Sequence, residues 1–445
     1  MNAAALVNAL VARGMDAAET DGKVALFTSV LDAHRLLRAS APQHVWWVPG
    51  RLEVFGKHTD YAGGRTLVCC VPRGFAVAAS PREDEIVRVV DAARGERHTV
   101  TLSARTESYS GWRHYVEVTV QRLARNFPTR KLGADIVVAS DLPPASGMSS
   151  SSALVVSIAT ALARIGLLQK DPTWRNNIRS GLDVASYYAC IENGRSFASL
   201  AGDAGVGTHG GSEDHTAMLE GRPGHVSAFA FVPPRALGVA GVPDAWRFVL
   251  AASEVAARKT GEAREPYNRL SAGAARLLDI WNAESPRAVS LAAALATGRS
   301  AADRLRSLLD RAATPESPAA WLRDRLDHFV REDARPLEAL DAFAHADATR
   351  LGELSAASQA DAAILLGNQS PVTSALAGSA RKEGAFAACS FGAGFGGSVW
   401  ALVPAATVDA FIEVWAAKYR EVFPVHHSGF FAARPAAGAA GRTER

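Results

Sequence analysis

The segment SDLPPASGMSSSSAL (140–154) limits what this chain can become more than any other stretch. The apolar run before it, ADIVVAS, reads as a strand, and the run after it is rich in Ala, Val and Leu at helical spacing. Between them Pro143 and Pro144 fix a turn, and Gly147 permits a close backbone approach. Ser149, Ser150, Ser151 and Ser152 then occupy the first turn of the helix. Orphan N–H groups and the positive dipole end make a helix N-terminus an anion site. Serine hydroxyls add donors for phosphate oxygens and oxygen ligands for Mg²⁺. The same residues also describe a polar linker running into a capped helix, because serine is a favoured N-cap. No lysine stands where a GxxxxGK[ST] loop needs one, so a P-loop is excluded.

Around this loop the chain alternates strands and helices without the regular βαβ order of a doubly wound sheet, which places it in the α+β class. VWWVPGRLEVFG, TLVCCVPRGFAVAAS, IVRVVD and HTVTLS read as short strands, with ARGER as a turn between the last two. TESYSGWRHYVEVTVQRLARNF and DVASYYACIENGRSFASLAG read as helices. HVSAFAFV and WRFVLAAS look like a hairpin pair, and 255–380 is largely helical. FAACSFGAGFGGSVWALV is strand, glycine turn, strand, and TVDAFIEVWAAKYREVF is a closing helix. Residues 1–40 are expected to be a helical extension and 433–445 a disordered, low-complexity tail.

Composition removes several function classes. The 445 residues allow two or three domains. A net charge of +3, from 48 basic and 45 acidic residues, leaves no nucleic-acid or anionic-membrane footprint. Cys69, Cys70, Cys190 and Cys389 form no CxxC pair and read as reduced thiols in a cytoplasmic protein. No apolar run reaches the roughly 20 residues of a membrane span. The N-terminus lacks the basic region of a signal peptide. Gly392, Gly394 and Gly397 fit GxGxxG, but a strand rather than a helix follows them, which argues against a dinucleotide site.

Three segments, in order, carry a family likeness. VPGRLEVFGKHTDYAGG (48–64) resembles the galactokinase signature, LPPASGMSSSSAL (142–154) the serine-rich ATP loop of GHMP kinases, and FGAGFGGSVWAL (391–402) their C-terminal glycine-rich motif. The resemblance implies a two-lobed GHMP kinase fold. An N-terminal domain over 41–240 would mix sheet and helices, a C-terminal α/β domain would span 241–432, and the active site would lie in the cleft between them. It also implies transfer of the ATP γ-phosphoryl group to a monosaccharide hydroxyl, galactose to galactose 1-phosphate first of all. ATP and Mg²⁺ would be the cofactors and the sugar the only partner, with no nucleic acid and no membrane, in a monomer or weak dimer.

Residue by residue, the likeness puts Arg51 at the reacting centre and His58 and Asp60 on sugar hydroxyls. Ser150 and Ser151 match phosphate and Mg²⁺ positions within the run Ser149–Ser152, beside Gly147. Glu192 in ACIENG matches the Mg²⁺ carboxylate. Trp112 matches the tryptophan near adenine, with a core role as the alternative. Asp214 in SEDH matches the catalytic aspartate, with Glu213 its rival, and Tyr267 resembles a sugar-packing tyrosine. Two positions depart from the pattern. Lys57 replaces the glutamate that usually binds the sugar 6-hydroxyl, and Glu53 replaces an asparagine. An ammonium facing C6 would suit a uronic acid; alternatively Lys57 pairs with Glu53 and a hydroxyl still binds. A non-catalytic sugar sensor is the rival from another class, but the intact serine loop and Asp214 speak for an enzyme.

Overall fold

The computed structural model describes residues 2–103, 109–144, 146–255, 264–424 and 429–443. The expected helical starts at 106–108 and 256–263 lie outside them. Twelve strands are present among these residues: β1 His44–Phe55, β2 Arg65–Pro81, β3 Ile86–Asp91, β4 Glu96–Thr101, β5 Ala134–Ser140, β6 His225–Ala230, β7 Arg235–Gly241, β8 Trp246–Ala252, β9 Ala387–Phe391, β10 Ser398–Pro404, β11 Phe430–Ala433 and β12 Ala440–Thr443.

Eight of them form one sheet, ordered β12-β1-β2-β5-β3-β4, with β6 on β2 and β7 on β6. Only β3 and β5 run parallel. The VWWV run of β1 is apolar at every position because both faces of the sheet are covered. Val45 and Trp47, with Ala76, Ala78, Val137 and Ala139, pack under the helices Ala3–Val11 and Lys23–Arg38. Trp46 and Val48, with Val77, Ala79, Ile136 and Val138, face the main core, which includes the helices Trp112–Asn126 and Ser150–Ile165. The first 40 residues are thus helical and supply one whole layer of this domain. Phe27 is 1% exposed beneath that layer, and truncating a side chain so placed costs about 3–5 kcal/mol.

Two expectations change. HVSAFAFV pairs with Arg235–Gly241, not with WRFVLAAS; the latter is β8 of a second sheet, ordered β11-β8-β10-β9. The hairpin partner was hidden because β7 is half-exposed and glycine-interrupted, without an alternating apolar pattern. The tail forms β12 rather than a disordered end, pairing Ala440 with Trp47 and Gly441 with Trp46. Its attachment is through the backbone: the Ala436 N–H donates to the Cys70 carbonyl and the Ala439 N–H to the Met218 carbonyl. Gly441 is needed there, since a Cβ would come 2.3 Å from the Cβ of Trp46.

The second sheet packs on the helices Pro371–Lys382 and Val408–Val422. A separate helical cluster includes Arg264–Glu284, Ala301–Ala312 and Ala319–Ala344. No helix among the described residues is long and apolar enough to cross a membrane. The helical region is tied to the first sheet by the Arg65–Asp333 pair and by a fully buried carboxylate beside it. Glu332, on Ala319–Ala344, accepts from the N–H groups of Gly56 (2.9 Å) and Lys57 (3.2 Å) and from the Ser358 hydroxyl (3.0 Å). Its other oxygen pairs with Arg335.

Burial alone would raise the Glu332 carboxyl, but the charges of Lys57 and Arg335 bring it down to about 2. A depressed carboxyl stabilises the fold above its unfolded value and loses that contribution as pH falls through its folded one. Stability measured by urea unfolding is therefore expected to drop between pH 4.5 and 2, and Glu332→Gln should flatten that drop. Removing one partner of a buried pair costs about 3–5 kcal/mol. Arg335→Met, which removes the ion-pair partner of Glu332, should lower the unfolding free energy by about that much at pH 7.

Candidate active site

Arg51 sits just past a register shift in the β1–β2 pairing, between Pro49 and Arg51, and such irregularities re-aim side chains. The preceding Gly50 has no room for a side chain: a Cβ would lie 2.6 Å from Leu142 and 3.1 Å from the Met148 carbonyl. That closeness brings the serine loop directly onto β1. The Arg51 guanidinium, 4% exposed, is held on three sides. Nε lies 2.9 Å from Glu213 Oε1, Nη2 lies 2.6 Å from Asp214 Oδ1, and Nη1 donates to the Gly147 carbonyl at 2.9 Å.

Glu213 and Asp214 open the helix Glu213–Glu220, where the dipole favours negative charge. Burial works against the Arg51 charge, but Asp214 and Glu213 outweigh it and hold the guanidinium firmly protonated. Glu213 has the opposite balance: burial, then the neighbouring Glu53, push its carboxyl well above the usual range despite Arg51. Both sequence candidates therefore belong to the site, one on each edge of the same guanidinium.

Asp214 also reaches the serine loop. The Ser152 hydroxyl lies 2.8 Å from Glu192 Oε2 and 3.2 Å from Asp214 Oδ2. The serine beside Glu192 is thus Ser152 and not the expected Ser151. The helical rotation between neighbours turns Ser152 inward, while Ser151 faces a second cavity. Glu192 comes from the end of the helix Gly181–Asn193, which Gly194 closes in the left-handed conformation. His215 Nε2 stands 3.3 Å from the same Glu192 oxygen.

The HTDY turn forms the rest of a small polar cavity. His58 takes φ +57, its Nδ1 lies 3.0 Å from the Tyr61 hydroxyl, and its Nε2 lies 3.0 Å from the Ala393 carbonyl. With the proton on Nε2 the ring donates to Ala393 and accepts from Tyr61. His58 therefore fastens the turn to the C-terminal glycine motif. Asp60 accepts from the N–H groups of Tyr61 (2.7 Å) and Glu213 (3.1 Å). Gly211 makes room for it, since a Cβ would come 2.2 Å from Asp60 Oδ2. Tyr267 packs on His58 with ring centroids 5.3 Å apart, and Glu53, Asn193 and Thr208 complete the wall.

Lys57 does not line this cavity. Its ammonium, 1% exposed, donates to Ser358 Oγ (2.8 Å) and contacts Cys389 Sγ (3.1 Å). The expectation that it meets the substrate is corrected: adjacent residues of a turn point apart, and the Lys57 ammonium turns to Ser358, whose hydroxyl in turn donates to Glu332. The physical basis for a uronic-acid preference goes with it.

A second cavity of about 520 Å³ lies on the other side of Gly147. Ser149, Ser150, Ser151, Trp112, Tyr115 and Leu142 are among its walls, and Ala393 borders both cavities. Trp112 is half-buried and its Nε1 donates to Glu96 at 2.8 Å, so it is a wall residue with a fixed plane. Ser149, at φ +57, and Ser146 each bury a hydroxyl oxygen with no protein partner among the described residues. The glycine-rich turn after β9 presses against this loop. A Cβ on Gly392 would lie 2.9 Å from the Gly147 carbonyl, at φ +80.

Sequence reasoning had not placed Glu53, Tyr61, Asn193, Thr208 or His215 in the site. Tyr61 and His215 adjoin assigned residues in the HTDY and EDH runs, which was the available signal. Asn193 and Thr208 lie on a helix end and a glycine loop with no distinguishing pattern.

Comparison with known families agrees with this geometry. The galactokinase galactose-binding signature matches residues 34–81, the GHMP kinases N terminal domain residues 114–194, and the GHMP kinases C terminal domain residues 339–421. Galactokinase of Actinobacillus pleuropneumoniae serotype 5b (strain L20) is 38% identical over 128 residues, 28% of this chain and 33% of that protein. Galactokinase of Roseiflexus sp. (strain RS-1) is 35% identical over 133 residues, 29% and 34% of the two chains. The aligned segments thus span about a third of the curated relatives' length. In fold, the chain is similar to Lactococcus lactis galactokinase complexed with galactose (TM-score 0.73, 22% identity, 93% of this chain and 99% of that one). Methanococcus jannaschii mevalonate kinase is more distant (TM-score 0.55, 14% identity, 90% and 100%). The serine loop, the HTDY turn and the glycine motif meet around Arg51 in a two-domain GHMP kinase fold, and the chain carries the galactokinase galactose-binding signature together with the GHMP kinases N terminal and C terminal domains.

Proposed function

We propose that this protein is an ATP-dependent sugar kinase acting on a neutral hexose, with galactose the foremost candidate. The observation that carries the reading is the chain Arg51–Asp214–Ser152–Glu192, which lines the polar cavity and reaches, through the Arg51 bond to Gly147, the wall of the serine-lined one. The larger cavity, with Trp112 as a flat wall and the serine loop at its inner end, suits a nucleotide with its phosphates on the loop. The buried, partnerless hydroxyls of Ser146 and Ser149 ask for acceptors such as phosphate oxygens. The smaller cavity offers Glu53 and Asp60 as acceptors, with Tyr267 as an apolar face, and suits a sugar.

Phosphoryl transfer needs positioning and charge neutralisation more than covalent help. Asp214 accepts a hydrogen bond from the attacking sugar hydroxyl and aims it. The proton passes to it late, when the oxygen has begun to bond phosphorus and turned acidic. Arg51 is fixed beforehand and supplies positive charge without reorganisation. A hydroxyl and two carboxylates converge at Ser152, Glu192 and Asp214. Hard oxygen donors of this number fit Mg²⁺, which is usually held by one or two carboxylates plus phosphates. Bound there, it would neutralise charge on the phosphate oxygens. A sugar carboxylate would enter a wall already holding the carboxylates of Asp60, Glu192 and Asp214, which disfavours uronic acids by like-charge repulsion.

An ADP-release screen of neutral hexoses, pentoses and uronic acids tests the reading. Turnover is expected with a neutral hexose and none with uronates; ATP consumption that ignores every sugar contradicts it. Asp214→Asn should lower kcat by about 10²–10⁴-fold, the span of a general acid–base contribution, with KM for the sugar changed only a few-fold. Ser152→Ala should raise the Mg²⁺ concentration needed for half-maximal rate by about 10–100-fold, the usual size of a perturbed metal site, while leaving binding of the sugar alone intact.

A further inference from the structure

Glu53 is a buried carboxylate that takes no step in the phosphoryl transfer itself. It lies on β1, two residues beyond Arg51 and on the same side of the strand, and it is 3% exposed. Its side chain borders the polar cavity together with Asp60 and Tyr267. One oxygen, Oε1, accepts the Gly392 N–H at 3.4 Å, a long contact. Oε2 has no hydrogen-bond partner in the protein among the described residues. Neither cation near Glu53 closes on it. Arg51 is engaged by Glu213, Asp214 and Gly147, and Lys57 donates to Ser358 and Cys389. That oxygen is not among the fully enclosed partnerless atoms and opens into the polar cavity, so the acceptor stands available to a ligand bound there.

We infer that Glu53 is a specificity-determining residue: its free oxygen accepts a hydrogen bond from one donor group of the sugar, a hydroxyl or a protonated amine. This rests on the sugar-kinase reading and sharpens it, because it assigns recognition to the wall that Lys57 has vacated. Burial raises the Glu53 carboxyl while Arg51 and Lys57 draw it back. A donor from the ligand would add to that pull, and an ammonium would add most. Lys57 serves as a counter-ion behind the wall. A carboxylate on the sugar has nothing to donate at neutral pH and is rejected at the same place.

The test is a substrate-by-variant cycle. Wild type, Glu53→Gln and Glu53→Ala are compared with the best hexose and with its 2-, 3-, 4- and 6-deoxy and 2-amino forms. Sugar binding by calorimetry, without nucleotide, is read alongside kcat/KM. In wild type, loss of the hydroxyl that meets Glu53 should cost about 10–100-fold, as expected for a charge-assisted hydrogen bond. In Glu53→Ala that one penalty should shrink to within about threefold, with the penalties at the other positions unchanged. Glu53→Gln, close in shape and checked by thermal melting, should keep part of the discrimination and lose any preference for the amino sugar. Equal deoxy penalties in all three proteins would overturn the assignment while leaving the kinase reading in place. Failure of wild type to bind or turn over any sugar of the panel would overturn both.

Discussion

The three-sided capture of Arg51 is the interaction on which the site depends. One guanidinium joins β1, through its own backbone, to the serine loop at Gly147 and to the helix that begins at Glu213. An arginine suits this position because its planar fork can serve three partners in fixed directions, which an ammonium cannot do. The glycines around it are consequences of the same crowding. Gly50 admits Leu142 and Met148, Gly392 admits Gly147, and Gly211 admits Asp60. Each absent Cβ lets two backbone segments close on the guanidinium or on the carboxylates that hold it.

Behind that centre lies a second, purely structural electrostatic cluster. Glu332 gathers the N–H groups of Gly56 and Lys57, the Ser358 hydroxyl and Arg335, and so fixes the strand end from which the HTDY turn departs. His58 then crosses from this turn to the Ala393 carbonyl. The polar cavity is therefore defined from both ends: by an ion cluster under its floor and by an imidazole strap at its rim. The two clusters differ in what they leave unfilled. The one at Glu332 satisfies both of its carboxylate oxygens, whereas the wall of the cavity retains an open acceptor at Glu53.

What could be read from residues alone follows the range of the forces involved. The strand, proline turn and serine helix start of 134–165 are local, and so is the glycine turn between β9 and β10. Periodicity and turn chemistry identify both. The direction of Lys57 was not legible, since its side-chain partners Ser358 and Cys389 lie 301 and 332 residues away. Nor was the choice between Ser151 and Ser152, which turns on one step of helical rotation. The tail escaped because β12 is held by backbone hydrogen bonds, which carry no side-chain signature, on a sequence of alanines and glycines. Glu53 was read only as a mate for Lys57, because its place on the cavity wall depends on the packing of β1 against the glycine motif.

The most direct measurement is ³¹P NMR of the full-length protein with ATP, Mg²⁺ and galactose. The account predicts that the ATP signals give way to ADP and a sugar phosphate monoester in equal amounts, with the phosphorus coupled to a sugar-ring proton. ADP accompanied by inorganic phosphate alone, or ATP left intact while galactose binds, would contradict it.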